Sequence, residues 1–308
     1  MQPIARPSPR TLPWAETAVL AVTAAWGLSF VVLRTAQADA GPFALTALRM
    51  ATGLATALVL LRPRLLTASA LEWKGGIAGG VLLSAGYLLQ TAGMRTAGAG
   101  TGGFITAFYV ALVPLIEAAV FRRLPDRRDL LVLLVCCLGI GMIALDGATW
   151  ALPPGEALVA LSAPFWAAQI VVVGRVAARV HAPTLTVIQL LTLVAVCGAG
   201  ALVVDEKPIR WTTNLLASVF FLGHVTCTLA FLAQAWAQRR FPPTHAAILF
   251  SPEPVFAALF GWWLLGEQFG LREVAGGALV LGAVLWAVLR TAPPADTREA
   301  AGDGTLTP

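Results

Sequence analysis

Ten runs of roughly 20 mainly apolar residues occupy most of the chain, and each is long enough to cross a bilayer as a helix. They fall at roughly 14–34, 42–61, 73–94, 99–121, 129–146, 156–176, 184–204, 213–236, 243–265 and 270–290. Short breaks carrying Pro, Gly or charge separate them, such as Arg62-Pro63-Arg64 and Asp205-Glu206-Lys207-Pro208. No break has room for a soluble domain, so any activity must be housed among the helices. The composition agrees. Of 308 residues 58% are hydrophobic and 12% charged, whereas a globular domain carries about 25% charge. In water such a chain would expose large apolar patches, and it is too apolar to stay disordered. An all-α integral membrane protein is the expected class.

The net charge of +5 does not point to nucleic acid, because the basic residues form short clusters between apolar runs and no basic face or arm. They orient the bundle instead. With the N-terminus, the even-numbered loops and the C-terminus on one side, that side holds 15 Lys and Arg and the other holds 5, with Arg49 inside a span. The basic side is cytoplasmic, which predicts both termini inside. The first run resembles a signal peptide in its preceding Arg6 and Arg10, but its length and Glu16 favour a retained helix. Cys136, Cys137, Cys197 and Cys227 lie within apolar runs without metal spacing and read as packing residues. Trp14, Trp73, Trp150, Trp211, Trp262 and Trp286 lie near span ends, where indoles anchor at the interface.

A shift of 140 residues aligns the two halves without gaps: Glu16 meets Glu156, Trp26 meets Trp166, and Pro114 meets Pro254. Aliphatic matches are cheap in so apolar a chain, whereas Trp and Pro matches at one offset are not. The chain therefore reads as a duplicated five-helix unit. Five is odd, so the second unit enters the membrane in the opposite sense. The predicted architecture is ten transmembrane helices in two inverted-topology five-helix repeats, as in many secondary transporters. The expected organisation is a cytoplasmic N-terminal segment at 1–13, a first repeat at 14–146, a second at 156–290 and a disordered cytoplasmic tail at 291–308. Pro114 and Pro254 fall inside the fourth and ninth spans. Each removes a helix hydrogen bond, and paired interruptions in two halves point to a central site and its gates. The plainer reading is a packing kink.

The stretch Ala246 to Leu259, with Ser251-Pro252-Glu253-Pro254 at its centre, and the following Leu264-Leu265-Gly266-Glu267 resemble the ninth-helix signature of EamA-like transporters of the drug/metabolite transporter superfamily. Gly276-Gly277 and Gly282 fit the tenth-helix pattern. Trp26-Gly27 with Phe30 resembles the first-helix motif, and Leu45 to Arg49 the second-helix pattern. The likeness runs over about residues 14–290. It implies ten helices in two inverted halves and export of small metabolites across a bacterial inner membrane, with no ATP, organic cofactor or metal. One departure stands out: Asp126-Arg127 occupies the place in the first half where Gly266-Glu267 stands in the second. If that acid anchors a helix end, the halves are anchored differently.

Charges in hydrocarbon are costly and usually face a cavity or a partner. Arg49, about 10 Å into the second helix at 1.5 Å per residue, suits a substrate carboxylate. It equally suits a structural tie to helix-end carbonyls, or snorkelling. Glu253, between two prolines in mid-span, suits a proton carrier or a bond to freed backbone. Glu117 near Arg122 and Arg123 suits an ion pair, and His224 a proton-linked or a merely packed role. Gln90, Tyr109, Gln169 and Gln189 offer uncharged hydrogen bonds to a polar solute or between helices. Trp26 and Trp166 can wall a cavity symmetrically or simply pack. Gly75/Gly79 and Gly76/Gly80 permit close helix contact.

These observations favour a secondary transporter acting by alternating access, exporting amino acids or related small metabolites, with proton coupling through Glu253 or His224 as an open hypothesis. The alternatives are a multidrug or nucleotide-sugar-type carrier of the same design, or a non-transporting membrane partner. Neither Lys74 nor Lys207 has a Walker A context, and no HExxH or GxSxG set marks an intramembrane enzyme. The expected partners are a small-molecule solute and the lipid bilayer, with the oligomeric state, monomer or homodimer, left open.

Overall fold

The computed structural model describes residues 13–122, 124–145, 152–177, 179–229 and 249–290. The protein is all-helical over them, with no strand among the described residues. The expected tail at 291–308, residues 1–12, Trp150 and parts of the expected eighth and ninth spans lie outside the described residues. Helix α1 spans Pro13–Ala36, α2 Pro42–Leu61, α3 Ala70–Gly93, α4 Ala99–Thr106, α5 Tyr109–Val120 and α6 Arg127–Ala144. In the second half, α7 spans Pro154–Ala177, α8 Ala182–Val203 and α9 Thr213–Phe220, which continues into a π-helical segment at Phe221–Leu229. Helices α10 (Glu253–Leu265) and α11 (Leu271–Arg290) follow.

Among the described residues, six stretches are long and apolar enough to cross a membrane: α1, α2, α4 with α5, α7, α8 and α11. Shorter apolar helices run over Thr213–Thr228 and Glu253–Leu265. Helix α3 is as long as α1 but is diluted by glycines and by Ser84, Tyr87, Gln90 and Thr91. Helix α6 opens on Arg127, Arg128 and Asp129. Local chemistry sets the starts. Pro42 begins α2 at a position whose amide needs no partner, and Ser69 with Glu72 forms a capping box on α3. The Thr212 hydroxyl accepts from the Leu215 N–H to start α9.

Residues of both halves share the central core, among them Phe30, Leu45, Met94, Ile105, Val159, Leu215, Leu222, Ala257 and Val280. The outside is apolar as well: Val59, Leu134, Leu138, Leu161, Leu202 and Leu259 are exposed, a surface that lipid solvates and water would not. Trp14, Trp73, Trp211, Trp262 and Trp286 are also exposed, as interfacial anchors require. Close approach of α3 to α8 needs the expected glycines. A Cβ on Gly76 would lie 2.5 Å from Cγ2 of Ile188, and one on Gly80 would lie 2.8 Å from the backbone oxygen of Gln189.

Helix α3 packs on α7 and α8, α2 on α8 and the π segment, and α1 on α10 and the π segment. Helix α4 packs on α10 and α7, α5 on α7, and α6 on α11. Exchanging each segment for its counterpart at the 140-residue offset maps the pairs whose counterparts are described onto one another, while the counterpart of α4, at 239–246, lies outside the described residues. Thus α3–α7 becomes π segment–α1, α3–α8 becomes π segment–α2, and α1–α10 becomes α7–α5. The counterparts α2 and α8 run antiparallel. The amides of Phe43 and Ala44 at the start of α2 donate to the Glu206 carboxylate just beyond the end of α8, at 2.9 and 3.0 Å. At the opposite end, the Arg64 amide beyond α2 donates to Thr184 in the first turn of α8, and the His181 amide donates to Glu72.

Helices α4 and α10 are tied in the same way. Gly266 takes a left-handed φ of 68° at the end of α10, a conformation open to glycine at little cost. The turn carries Glu267 back onto the start of α4, where its carboxylate accepts from the Ala99 and Gly100 amides at 2.6 and 3.1 Å and pairs with Arg34 at 2.5 Å. Gly98, which precedes α4, supplies no side-chain cap, so Glu267 serves from across the bundle. In the first half Asp126 instead caps its own helix, accepting from the Arg128 amide. The two halves are therefore anchored differently, because only one of them has a carboxylate after the left-handed glycine.

At the same end Asp39 joins α1–α2 to the α8–α9 loop. The hydrogen bond from Thr212 holds its carboxyl below the usual carboxylate range, helped by Asn214 and by the positive charge of Arg210 and Lys207 and opposed by partial desolvation. A lowered folded value means that this contact stabilises above the unfolded pKa, about 3.9, and is lost as pH falls through the folded value. Asp39→Asn should therefore flatten the acid limb of a melting-temperature profile below about pH 4 in detergent. Glu267→Ala should lower stability by about 1–2 kcal/mol, the size of a lost helix cap. It should also speed amide exchange at Ala99 and Gly100, and unchanged exchange there would disprove the capping role.

Candidate functional site

Interruptions occur in both halves. In the first, α4 ends at Thr106 and α5 begins at Tyr109, with tight turn bonds from the Phe108 amide to the Ile105 carbonyl and from Val110 to Ala107. Pro114 lies inside α5, which runs through it, so the break stands one to two turns upstream of the proline. Glycines 100, 102 and 103 make α4 a weak helix there. In the second half a turn at Ser251-Pro252 precedes α10, and Pro254 sits in its first turn, where a missing amide is tolerated. Tyr109 is thus the first residue of a helix that begins inside the apolar stretch Ala99–Val120, and Glu253 is the first residue of α10.

Arg49 sits two turns into α2 and is 5% exposed. It neither reaches helix-end carbonyls nor snorkels. One guanidinium nitrogen donates to the Thr91 hydroxyl of α3 at 3.1 Å, and the group lies over the Tyr87 ring at 4.6 Å. Its Nε has no protein acceptor. Among the described residues the ion pairs are Arg34–Glu267 and Arg210–Asp39, so no carboxylate neutralises Arg49. By magnitude the contacts of Arg49 do little more than offset its burial. A desolvated cation–π contact contributes about 2 kcal/mol and a hydrogen bond to a charged group about 1.5–3 kcal/mol. Against that stands a desolvation cost of several kcal/mol for a buried ion.

Tyr87 is the shared neighbour. Trp166 of α7 meets its ring edge-on at 4.5 Å, and the Trp166 indole Nε1 is buried without a partner. The Glu253 carboxyl lies within electrostatic range of both Tyr87 and Tyr109. The structure thus gathers Arg49, Tyr87 and Trp166, with Glu253 within electrostatic range of Tyr87 and of Tyr109. Gln90 donates to Thr106 at the end of α4 at 3.1 Å. Gln169 and Gln189 bond each other at 2.8 Å across α7 and α8, and so bridge helices.

Trp26 and Trp166 keep corresponding places. Trp26 donates to the Thr226 carbonyl of the π segment at 2.8 Å. Trp166 crosses Gly86 of α3, which is the position 140 residues before Thr226. The two indoles differ in that only Trp26 finds that acceptor. His224, on the π segment, bonds Thr56 of α2 at 2.5 Å. Thr56 is seven residues along α2 from Arg49, about 10 Å at 1.5 Å per residue, and His224 has no recorded bond to Glu253. Glu117 forms no ion pair with Arg122, and Arg123 lies outside the described residues. Tyr87 and Thr91 have no motif to mark them. Their only sequence signal is that Tyr87 is one of two tyrosines in the chain and shares the polar side of a glycine-rich helix with Gln90.

The family model for the EamA-like transporter family matches the chain twice, over residues 13–145 and 153–289. An uncharacterized transporter of Archaeoglobus fulgidus is 26% identical over 277 residues, covering 90% of this chain and 86% of the relative. A crystal structure of a protein 19% identical to this chain superposes with a TM-score of 0.61, covering 90% of this chain and 97% of its own. That likeness shows a shared fold.

Removing an unneutralised buried cation costs the fold little, so a neutral or raised melting temperature is expected for Arg49→Met. Solute transport in proteoliposomes should fall at least about tenfold in the same variant, which is about 1.4 kcal/mol. A melting temperature lowered by more than about 5 °C, roughly 2 kcal/mol at this size, would instead make Arg49 a structural tie.

Proposed function

The chain belongs to the EamA-like transporter family, and from that premise we propose that it is a secondary carrier working by alternating access. In this reading residues 14–146 and 156–290 are two five-helix units of opposite topology, giving ten spans. The observation that carries it is the antiparallel tie between counterpart helices α2 and α8, each helix start held by a group beyond the other's end. Two inverted units have two nearly equivalent arrangements, one open to each side. The double family match and the exchange-invariant packing support the same reading.

The basic-residue bias assigns the end carrying Asp39, Glu206 and Glu267 to the outside and both termini to the cytoplasm of a bacterial inner membrane. The solute path is lined by Arg49, Tyr109 and Trp166, between the interruptions near Pro114 and Pro254, and Trp26, Gln169 and Gln189 hold the surrounding helices together. The carrier exports small metabolites of the amino-acid kind. Glu253 carries the coupled proton: its carboxyl has no ion pair among the described residues. His224, held by Thr56, is the second proton-linked group.

Proteoliposomes preloaded with unlabelled candidate solutes should take up the labelled solute faster than empty ones, because a carrier is accelerated from the opposite side. Equal rates would identify a pore. Wild-type transport should change between about pH 6 and about pH 8, and Glu253→Gln should remove that change while leaving solute counterflow. A pH dependence that survives the substitution would exclude Glu253 as the proton carrier.

A further inference from the structure

The buried side chains that lack a partner belong, among the described residues, to Gln37, Arg49 and Trp166. Gln37 lies in the loop after α1, where Lys207 meets its backbone carbonyl, apart from the bundle centre. The other two converge on one ring. The guanidinium carbon of Arg49 is 4.6 Å from the Tyr87 centroid and the Trp166 ring centre is 4.5 Å from it. The two groups are therefore no farther apart than the sum of those distances, within the reach of one small solute. Both atoms are donors, Arg49 carries a positive charge, and a buried donor without an acceptor costs about 1–3 kcal/mol. The protein has an indole in the corresponding place of the other half, and there it is satisfied by the Thr226 carbonyl. The free Trp166 N–H is therefore specific to one side of the pseudo-symmetric pair: Trp26 meets a π-helical segment, whereas Trp166 lies against the regular helix α3 at Gly86.

We propose that Arg49 Nε and Trp166 Nε1 together dock a small organic monocarboxylate, the guanidinium taking the carboxylate and the indole N–H an oxygen of the same solute, against the Tyr87 ring. The charge count selects this class. A neutral solute would satisfy a donor and leave the cation unneutralised. A phosphate dianion would bring two charges to a neighbourhood that offers one cation and has the Glu253 carboxyl within electrostatic range of Tyr87. One guanidinium facing one carboxylate cancels charge and matches the planar fork. Thr91 and Thr46 prepare the cation: Thr91 accepts from Arg49 and shares a hydrogen bond of 3.2 Å with Thr46, which fixes the orientation of the guanidinium.

The inference rests on the carrier reading only in making this a transport site, since docking itself is measured without transport. The full chain in detergent is melted with acetate, lactate and benzoate, each against its carboxamide, and with inorganic phosphate. Carboxylates should raise the melting temperature where their carboxamides and phosphate do not. Trp166→Phe, which keeps the ring and deletes the N–H, should weaken the apparent affinity about tenfold, the effect of one lost hydrogen bond to a charged solute. Arg49→Lys, which keeps the charge and loses the fork, should do the same, with both unliganded variants melting like the wild type. No carboxylate shift, an equal shift with phosphate or carboxamides, or an unaltered affinity in Trp166→Phe overturns the proposal. Carboxylate docking without trans-acceleration would defeat the carrier reading and leave the site standing. Trans-acceleration of some other solute, unaffected by carboxylates, would do the reverse.

Discussion

The carboxylates of Glu206 and Glu267 each satisfy the first amides of a helix from the other half of the chain. Helix starts leave amides without partners, and at the edge of a bilayer few groups are available to meet them. Gly41 and Gly98, which precede α2 and α4, have no side chain with which to cap. Those helices therefore take their side-chain caps from the opposite half. The same bonds set α2 against α8 and α4 against α10 in opposite directions, so helix capping and the relation between halves are one interaction.

Once those helices are set, packing follows from residue size. Glycines on α3 let α8 come close enough for Ile188 and Thr192 to fill its surface. Trp166 crosses the same helix at Gly86 and meets Tyr87. The interruption before Tyr109 places a polar side chain at a helix start inside the apolar stretch Ala99–Val120, and Glu253 stands at the start of α10. The neighbourhood of Arg49 is thus built from small residues that give way and from helices that stop early.

An arginine buried without a carboxylate works against the fold. Its contacts to Thr91 and Tyr87 recover only part of the cost of removing the charge from water. The ion pairs among the described residues, Arg34 with Glu267 and Arg210 with Asp39, involve arginines that keep contact with solvent. Arg49 is the group on which the proposed docking site rests, in a chain whose family transports solutes.

The spacing of apolar runs and the scarcity of charge determined that the chain is a helical membrane protein, because only helices and closed barrels satisfy their own backbone in lipid. The matching Trp and Pro at one offset were enough to expose the duplication, and the Gly-Glu pair was legible as an anchor whose partner was unknown. Arg49, Tyr109, Trp166 and Glu253 could be singled out as polar or bulky groups in hydrocarbon. That Arg49 and Trp166 meet at Tyr87 was not legible, since hydrophobic patterning identifies which segments are buried and says little about which faces meet. Nor could the sequence say that Gln169 is consumed by Gln189, or that Trp26 has an acceptor where Trp166 has none. Those outcomes depend on how helices far apart in the chain cross, and only the tertiary structure decides which buried donor is left without a partner.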